Sequence, residues 1–200
     1  MNWLDRFHHW RRRRRWNKQY RKGRWKSLQN EREAIRYYQI VEFFKKYGPK
    51  NPSILDIGCG DGVLNRRMEG FEFKDFTGVD FSSESIRQAK TYNYPKTTFV
   101  TADAIEYQPR QNFDIIIFNE AFYYIPDSKK PEVMDRMLSH LNPNGLMIVS
   151  IFREGIGCWE YFKEDERLTE LDFITVNTDK ETTYWKIGAY GVIPASGGQA

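Results

Sequence analysis

Residues 54–62 read Ile54-Leu55-Asp56-Ile57-Gly58-Cys59-Gly60-Asp61-Gly62, and this stretch decides the fold. The run Ser53–Ile57 has the composition of a short strand, and it ends in a turn carrying glycine at 58, 60 and 62. Glycines let the backbone turn sharply and approach a ligand that a Cβ would hold away. The helix predicted at 62–69 would add unpaired N–H groups at its start. A phosphate-binding dinucleotide loop, G-x-G-x-x-G, needs glycine at 63, where the chain has Val63, and no Walker Gly-Lys-Ser/Thr is present. With Asp56 ahead of it, the turn suits a ligand that has an ammonium-bearing amino-acid end and no phosphate.

Outward from this turn, strands and helices alternate. Strands are predicted at 76–79, 98–101, Phe113–Asn119 and 146–152, with helices at Ser83–Lys90, capped by Ser82 or Ser83, and at 130–140. The unbroken run Ile115-Ile116-Ile117-Phe118 suits a strand covered on both faces of a parallel sheet. Before the glycine turn, Ala34, Tyr37, Tyr38, Val41 and Phe44 recur at helical spacing over 30–46. At the far end, 175–177 and 183–187 around Thr178-Asp179-Lys180 read as an antiparallel hairpin. A βαβ series closed by a hairpin predicts an α/β fold, an open and mostly parallel sheet with helices on both faces. Ligands of such sheets bind beyond the carboxyl ends of the strands, where strand order reverses.

The turns at those ends carry the candidate site. The second strand ends in Gly78-Val79-Asp80-Phe81, with Asp80 twenty residues after Gly60. A carboxylate there can accept from ribose hydroxyls. The third strand runs into Ala102-Asp103-Ala104, where Asp103 can accept from an adenine amino group, and the fourth into Asn119-Glu120-Ala121-Phe122-Tyr123-Tyr124. A glycine loop after the first strand and acids after the second and third describe an adenosine pocket. Asp61 and Asp75 are expected in solvent, and Cys59 reads as a small residue tolerated in a tight turn, not a nucleophile.

In these stretches the chain resembles the class I S-adenosylmethionine-dependent methyltransferases. The matching segments are 54–62, 77–82, 101–104, 113–117 and Leu141-Asn142-Pro143-Asn144-Gly145, in the family's order across roughly 50–155. The resemblance implies a Rossmann-like, doubly wound, seven-stranded mixed sheet ending in an antiparallel hairpin. It implies S-adenosylmethionine as cofactor and S-adenosylhomocysteine as product. Asp56, Gly58, Cys59 and Gly60 would surround the methionine moiety, Asp80 and Phe81 the ribose, and Asp103 with Ala104 the adenine, with Asn119 also at the cofactor. Glu120, Tyr123 and Tyr124 would face the transferable methyl as candidate catalytic residues. The prolines of an Asn-Pro-Pro-Tyr motif, which marks families acting on nucleobase or glutamine amides, are missing after Asn119.

The acceptor pocket is expected from the N-terminal segment, 120–127 and 155–166, with Trp25, Tyr37, Trp159 and Tyr161 as lining. An aromatic wall of that kind suits a sugar face, a small aromatic molecule or an alkylated amine. Tyr123-Tyr124 and Gly23-Arg24-Trp25 look similar to bacterial methyltransferases of saccharide pathways, including nodulation-factor enzymes. The three histidines are His8, His9 and His140, so no late-chain histidine serves as general base, which tilts the reading toward an amine acceptor. No metal cluster is visible in the sequence.

Composition sets the remaining bounds. Across 200 residues, 40% hydrophobic and 29% charged residues are ordinary for one globular domain. Two cysteines fit a reducing cytoplasm. The net charge of +4 hides an asymmetry: residues 1–27 hold eleven Lys/Arg against one Asp, and the remainder is acidic. The chain therefore divides into a basic, Trp/Arg-rich segment (1–27), a methyltransferase domain (28–194) and a flexible tail (195–200). Trp3, Leu4, Phe7 and Trp10 share one helical face ahead of the run Arg11 to Arg15. Three roles are open for this segment: a cap over the substrate pocket, a helix on an anionic membrane surface at the inner face, or an RNA-binding arm.

Overall fold

The computed structural model describes residues 3–193. The 195–200 tail lies outside the described residues, as do the side chains of Trp3, Leu4 and Phe7. The chain opens with α1 (Trp3–Arg21), a 3₁₀ segment (Arg24–Gln29) and α2 (Glu31–Tyr47). Then follow β1 (Ser53–Ile57), α3 (Val63–Arg67), β2 (Asp75–Asp80), α4 (Ser83–Lys90), β3 (Thr97–Thr101) and β4 (Phe113–Asn119). The last elements are α5 (Lys130–Ser139), β5 (Leu141–Phe152), α6 (Glu160–Lys163), β6 (Leu168–Asn177) and β7 (Tyr184–Val192).

The seven strands form one sheet in the order β3-β2-β1-β4-β5-β7-β6. The first five are parallel, and β7 runs antiparallel to both β5 and β6. The mixed doubly wound sheet expected from the sequence is thus the observed fold. Strand β1 is buried along its whole length, and Ile115, Ile116, Ile117 and Phe118 of β4 are fully buried. Alternate side chains feed two core layers: α2, α3 and α4 pack on one face, α5 and α6 on the other. Strand order reverses between β1 and β4, so the crevice above their carboxyl ends is where a ligand belongs.

Three elements differ from the sequence expectation. Helix α3 is shorter than 62–69 because Gly62 sits at φ +81 outside the helix, and Met68 ends it. The Asn142-Pro143-Asn144-Gly145 stretch does not precede β5 but bulges within it, opposite Asp114, whose Oδ1 accepts from Asn142 Nδ2 (2.8 Å). Strands β6 and β7 are longer than the predicted hairpin. β6 is a largely exposed edge strand, so its residues carry little apolar alternation to read.

Candidate active site

Asp56 is the penultimate residue of the buried β1, and the loop after the strand is fixed by two backbone bonds: Gly58 N and Cys59 N both donate to the Val79 carbonyl (2.7 and 3.0 Å). Gly58 holds φ +84, and a Cβ there would lie 2.4 Å from the Cβ of Ala121. Gly60 holds φ +56, and a Cβ on it would come within 2.7 Å of the Tyr20 hydroxyl. Both positions therefore require glycine on conformation and on space. Asp80 locks this loop from β2: its Oδ2 accepts from Gly60 N (3.1 Å), while Oδ1 accepts from Ser82 N (2.7 Å) and Ser85 Oγ (3.0 Å). The Ser82 hydroxyl in turn caps α4 by accepting from Ser85 N.

Above the loop is a cavity of about 300 Å³. Its wall follows the sheet order, from Asp103 and Ala104 beyond β3, through Asp80 and Phe81, to Asp56 and the glycines, then Asn119, Glu120 and Tyr123. Every candidate cofactor residue read from the sequence lines it, as do Tyr124, Trp25 and Tyr37. Trp159 and Tyr161 do not. The short α6 folds back over the opposite core layer, where Trp159 packs edge-on to Phe173 and Tyr161 lies against Phe122. Asp61, expected in solvent, is buried under the 3₁₀ segment and accepts from Gln29 Nε2 (2.8 Å).

Several lining residues were not legible beforehand. Arg36 is 2% exposed and lies among Asn119 Oδ1 (3.4 Å), Glu120 Oε1 (3.6 Å), Glu33 Oε2 (3.4 Å) and the Tyr37 hydroxyl (2.7 Å), with its guanidinium over the Trp185 ring. Its position in α2 looked like any polar helix residue, and no local signal marks it as buried. Phe152 and Trp185, cross-strand partners on β5 and β7, take the wall that 155–166 was expected to fill. From α1, Arg12 reaches Asp103 Oδ2 (3.4 Å) and donates to the Tyr124 carbonyl (2.8 Å). One and two turns on, Trp16 stacks on Trp25 (4.7 Å) and Tyr20 is buried on the glycine loop. Helix α1 thus lies across the cavity, its Asn17 clasped to Ser82, Ser83 and Glu84.

Burial dominates the electrostatics. It raises the Asp56 carboxyl to about 8, with Asp80 adding to the effect and Arg36 opposing it. Burial likewise raises Asp80 to about 6 against its three hydrogen bonds. The Cys59 thiol is pushed well up by burial and by the carboxylates of Asp56, Asp80 and Asp61, which makes it a poor nucleophile. Burial also raises Glu120, whose Oε2 accepts from the Tyr123 hydroxyl (3.1 Å) and Oε1 from Ser150 Oγ (3.1 Å). Glu120 adopts φ +57, a strained conformation for a non-glycine residue of the kind that gathers at functional sites. No group of three His, Cys, Asp or Glu able to hold a metal exists among the described residues.

The Methyltransferase domain family matches residues 8–184. The chain belongs to that family. It is 31% identical over 123 residues to malonyl-[acyl-carrier protein] O-methyltransferase 2 of Ilyobacter polytropus, covering 60% of this chain and 45% of that one. It is 33% identical over 102 residues to trans-aconitate 2-methyltransferase of Escherichia coli, covering 49% and 38%. The chain therefore spans about half the length, or less, of these curated relatives. Its fold is similar to that of the N-methyltransferase NodS from Bradyrhizobium japonicum in complex with S-adenosyl-L-homocysteine. The TM-score is 0.72 at 20% identity, covering 86% of this chain and 92% of that one.

Proposed function

We propose that this methyltransferase holds S-adenosylmethionine along the carboxyl edge of its sheet and methylates a small molecule or saccharide at nitrogen or oxygen. One observation carries the reading: a single cavity joins, in sheet order, the groups that each part of that molecule needs. Asp103 and Ala104 take the adenine. Asp80 takes the ribose, since its three internal bonds leave Oδ2 a further lone pair for a hydroxyl. The backbone at 58–60 and Asn119 take the methionine chain. Asp56 Oδ1 is buried with no hydrogen-bond partner among the described residues, the position for an ammonium group. The buried Arg36, its Nε likewise unpartnered, answers the carboxylate. The residues present therefore fit the cofactor.

When bound, S-adenosylmethionine supplies an electrophilic methyl that an acceptor atom takes in line with the departing sulfur. Glu120 and Tyr123, tied to each other and to Ser150, hold the acceptor side rigid, and positioning supplies most of the rate. A pyrophosphate-bearing dinucleotide is disfavoured, because six carboxylates and two arginines line the cavity. Calorimetry with S-adenosylhomocysteine and with NAD tests the assignment. Binding of the first alone is expected, and binding of NAD alone overturns it. An RNA acceptor is the second reading, favoured by the exposure of Arg11, Arg13, Arg14 and Arg15 while Arg12 turns inward.

A further inference from the structure

Beyond the ends assigned to adenosine and methionine, the cavity has a third end over β5 and β7. There Phe152 and Trp185 form a cross-strand pair with ring centroids 6.0 Å apart, and Leu28 and Glu33 face the same space. Among the lining residues the charges at this end are unequal, while Arg153, outside the lining, lies over the Phe152 ring (4.9 Å). Arg12 lies at the far end against Asp103, and Arg36 already faces both Glu33 and Glu120. The cofactor carries a sulfonium, an ammonium and one carboxylate, so with it bound the carboxylates lining the cavity still outnumber the cations. A carboxylate acceptor would thus find like charge at Glu33 and Glu120, and among the described lining residues no cation lacking an acidic partner. A positively charged acceptor finds the reverse.

The two acids differ in what they have left to offer. Each oxygen of Glu120 already accepts one hydrogen bond, from Tyr123 and Ser150, and Oε1 also faces Arg36, so fewer of its acceptor sites are open. Glu33 meets Arg36 through Oε2, and its Oε1 has no hydrogen-bond partner among the described residues. Glu33 is also half-buried on the first turn of α2, between the cavity and solvent.

We infer that Glu33 anchors the acceptor as an ammonium group, and that the acceptor is an amine whose flat or apolar body rests on Phe152, beside the Trp185 ring that Arg36 covers. This rests on the methyl-transfer reading above. Before attack the ammonium gives one proton to the Glu33 carboxylate, which passes it to water at the mouth. The freed nitrogen lone pair forms the N–CH₃ bond as the C–S bond yields its electrons to sulfur, leaving an N-methylammonium and a neutral thioether. An aromatic wall beside a carboxylate is the surface that recognises such cations.

The test gives the full chain radiolabelled S-adenosylmethionine and a cell metabolite extract separated into cationic, anionic and neutral pools. Label is expected in the cationic pool and stable to mild alkali. Label released as methanol by alkali, or absent from the cationic pool, overturns the inference. For Glu33→Gln, kcat/KM toward the cationic pool should fall by about 10–100-fold while the dissociation constant for S-adenosylhomocysteine stays unchanged, and Glu33→Asp should recover part of the loss. Weakened S-adenosylhomocysteine binding with an unchanged acceptor KM would make Glu33 a support for Arg36 only, and would also overturn it. Wild-type protein that binds no S-adenosylhomocysteine would instead remove the reading on which the inference depends.

Discussion

Asp80 carries two duties at once, because the carboxylate proposed for the ribose also fastens the glycine loop through Gly60 N. In Asp80→Asn, an amide nitrogen aimed at Gly60 would set donor against donor. We expect a loss of about 1.5–3 kcal/mol in S-adenosylhomocysteine affinity, and calorimetry would read it. An unchanged dissociation constant would place the ribose elsewhere. Glu120 offers a sharper separation of roles. Glu120→Gln keeps the volume and one accepting oxygen, turns the other into a donor that the Tyr123 or Ser150 hydroxyl must rotate to accept, and removes the charge facing Arg36. If Glu120 activates the acceptor, kcat should fall by about 10²–10⁴-fold with cofactor affinity nearly constant. Tyr123→Phe then asks whether the hydroxyl on Oε2 matters to turnover or only the ring to packing. Full activity in both variants would leave positioning as the catalytic device. At this scale the sequence was most readable where backbone conformation restricts residue type, as at Gly58 and Gly60. It was silent on Arg36, whose burial is set by Asn119, Glu120 and Trp185 from distant strands.

Among the elements, α1 has the most to explain. Its inward row of Arg12, Trp16 and Tyr20 covers the cavity, and its outward side is cationic. Because Trp16 and Tyr20 face the protein, the second half of the helix keeps no apolar stripe for insertion into a lipid surface. Removal of residues 1–22 should raise the acceptor KM and shorten the residence time of S-adenosylhomocysteine, measured by steady-state kinetics and stopped-flow displacement. Normal values for both would end the capping role. A loss of RNA affinity with a flattened salt dependence in the same truncation would instead support the RNA arm. Strand β4 and helix α4 were legible to the residue, since one is a continuous apolar run and the other opens on a serine cap. The docking of α1 was not, because the surface it covers is assembled from the loops after four separate strands and the 3₁₀ segment. Trp159 and Tyr161 misled for a related reason: aromatic residues near a strand end serve a core as readily as a pocket, and α6 turns them to the core.

For the molecule as a whole, the buried carboxyls set how stability changes with pH. Asp56 and Asp80 hold their protons to about 8 and about 6, whereas in the unfolded chain both titrate near 3.8. Between those limits the native state binds more protons, so stability is greatest at the acid end and declines as pH rises toward 8. Acids held low by their partners, Asp172 by the Tyr47 hydroxyl and Lys46 and Asp179 by Arg32, are ionised in both states above pH 5 and do not alter that slope. The melting temperature of the ligand-free protein should therefore fall from pH 5 to pH 8, and Asp56→Asn should remove most of the slope. Cofactor affinity should move the other way, strengthening with pH as Asp56 ionises, with protons released on binding that calorimetry in buffers of different ionisation enthalpy would count. The chain's order of synthesis adds a last consequence. Arg36 emerges well before Trp185, which lies beneath its guanidinium on β7, the last strand among the described residues. Contacts of such long sequence separation form late in folding. A nascent or refolding chain can thus build β1, β4 and the glycine loop while Arg36 still lacks its aromatic seat, and the ability to retain S-adenosylhomocysteine should appear only with the slowest refolding phase.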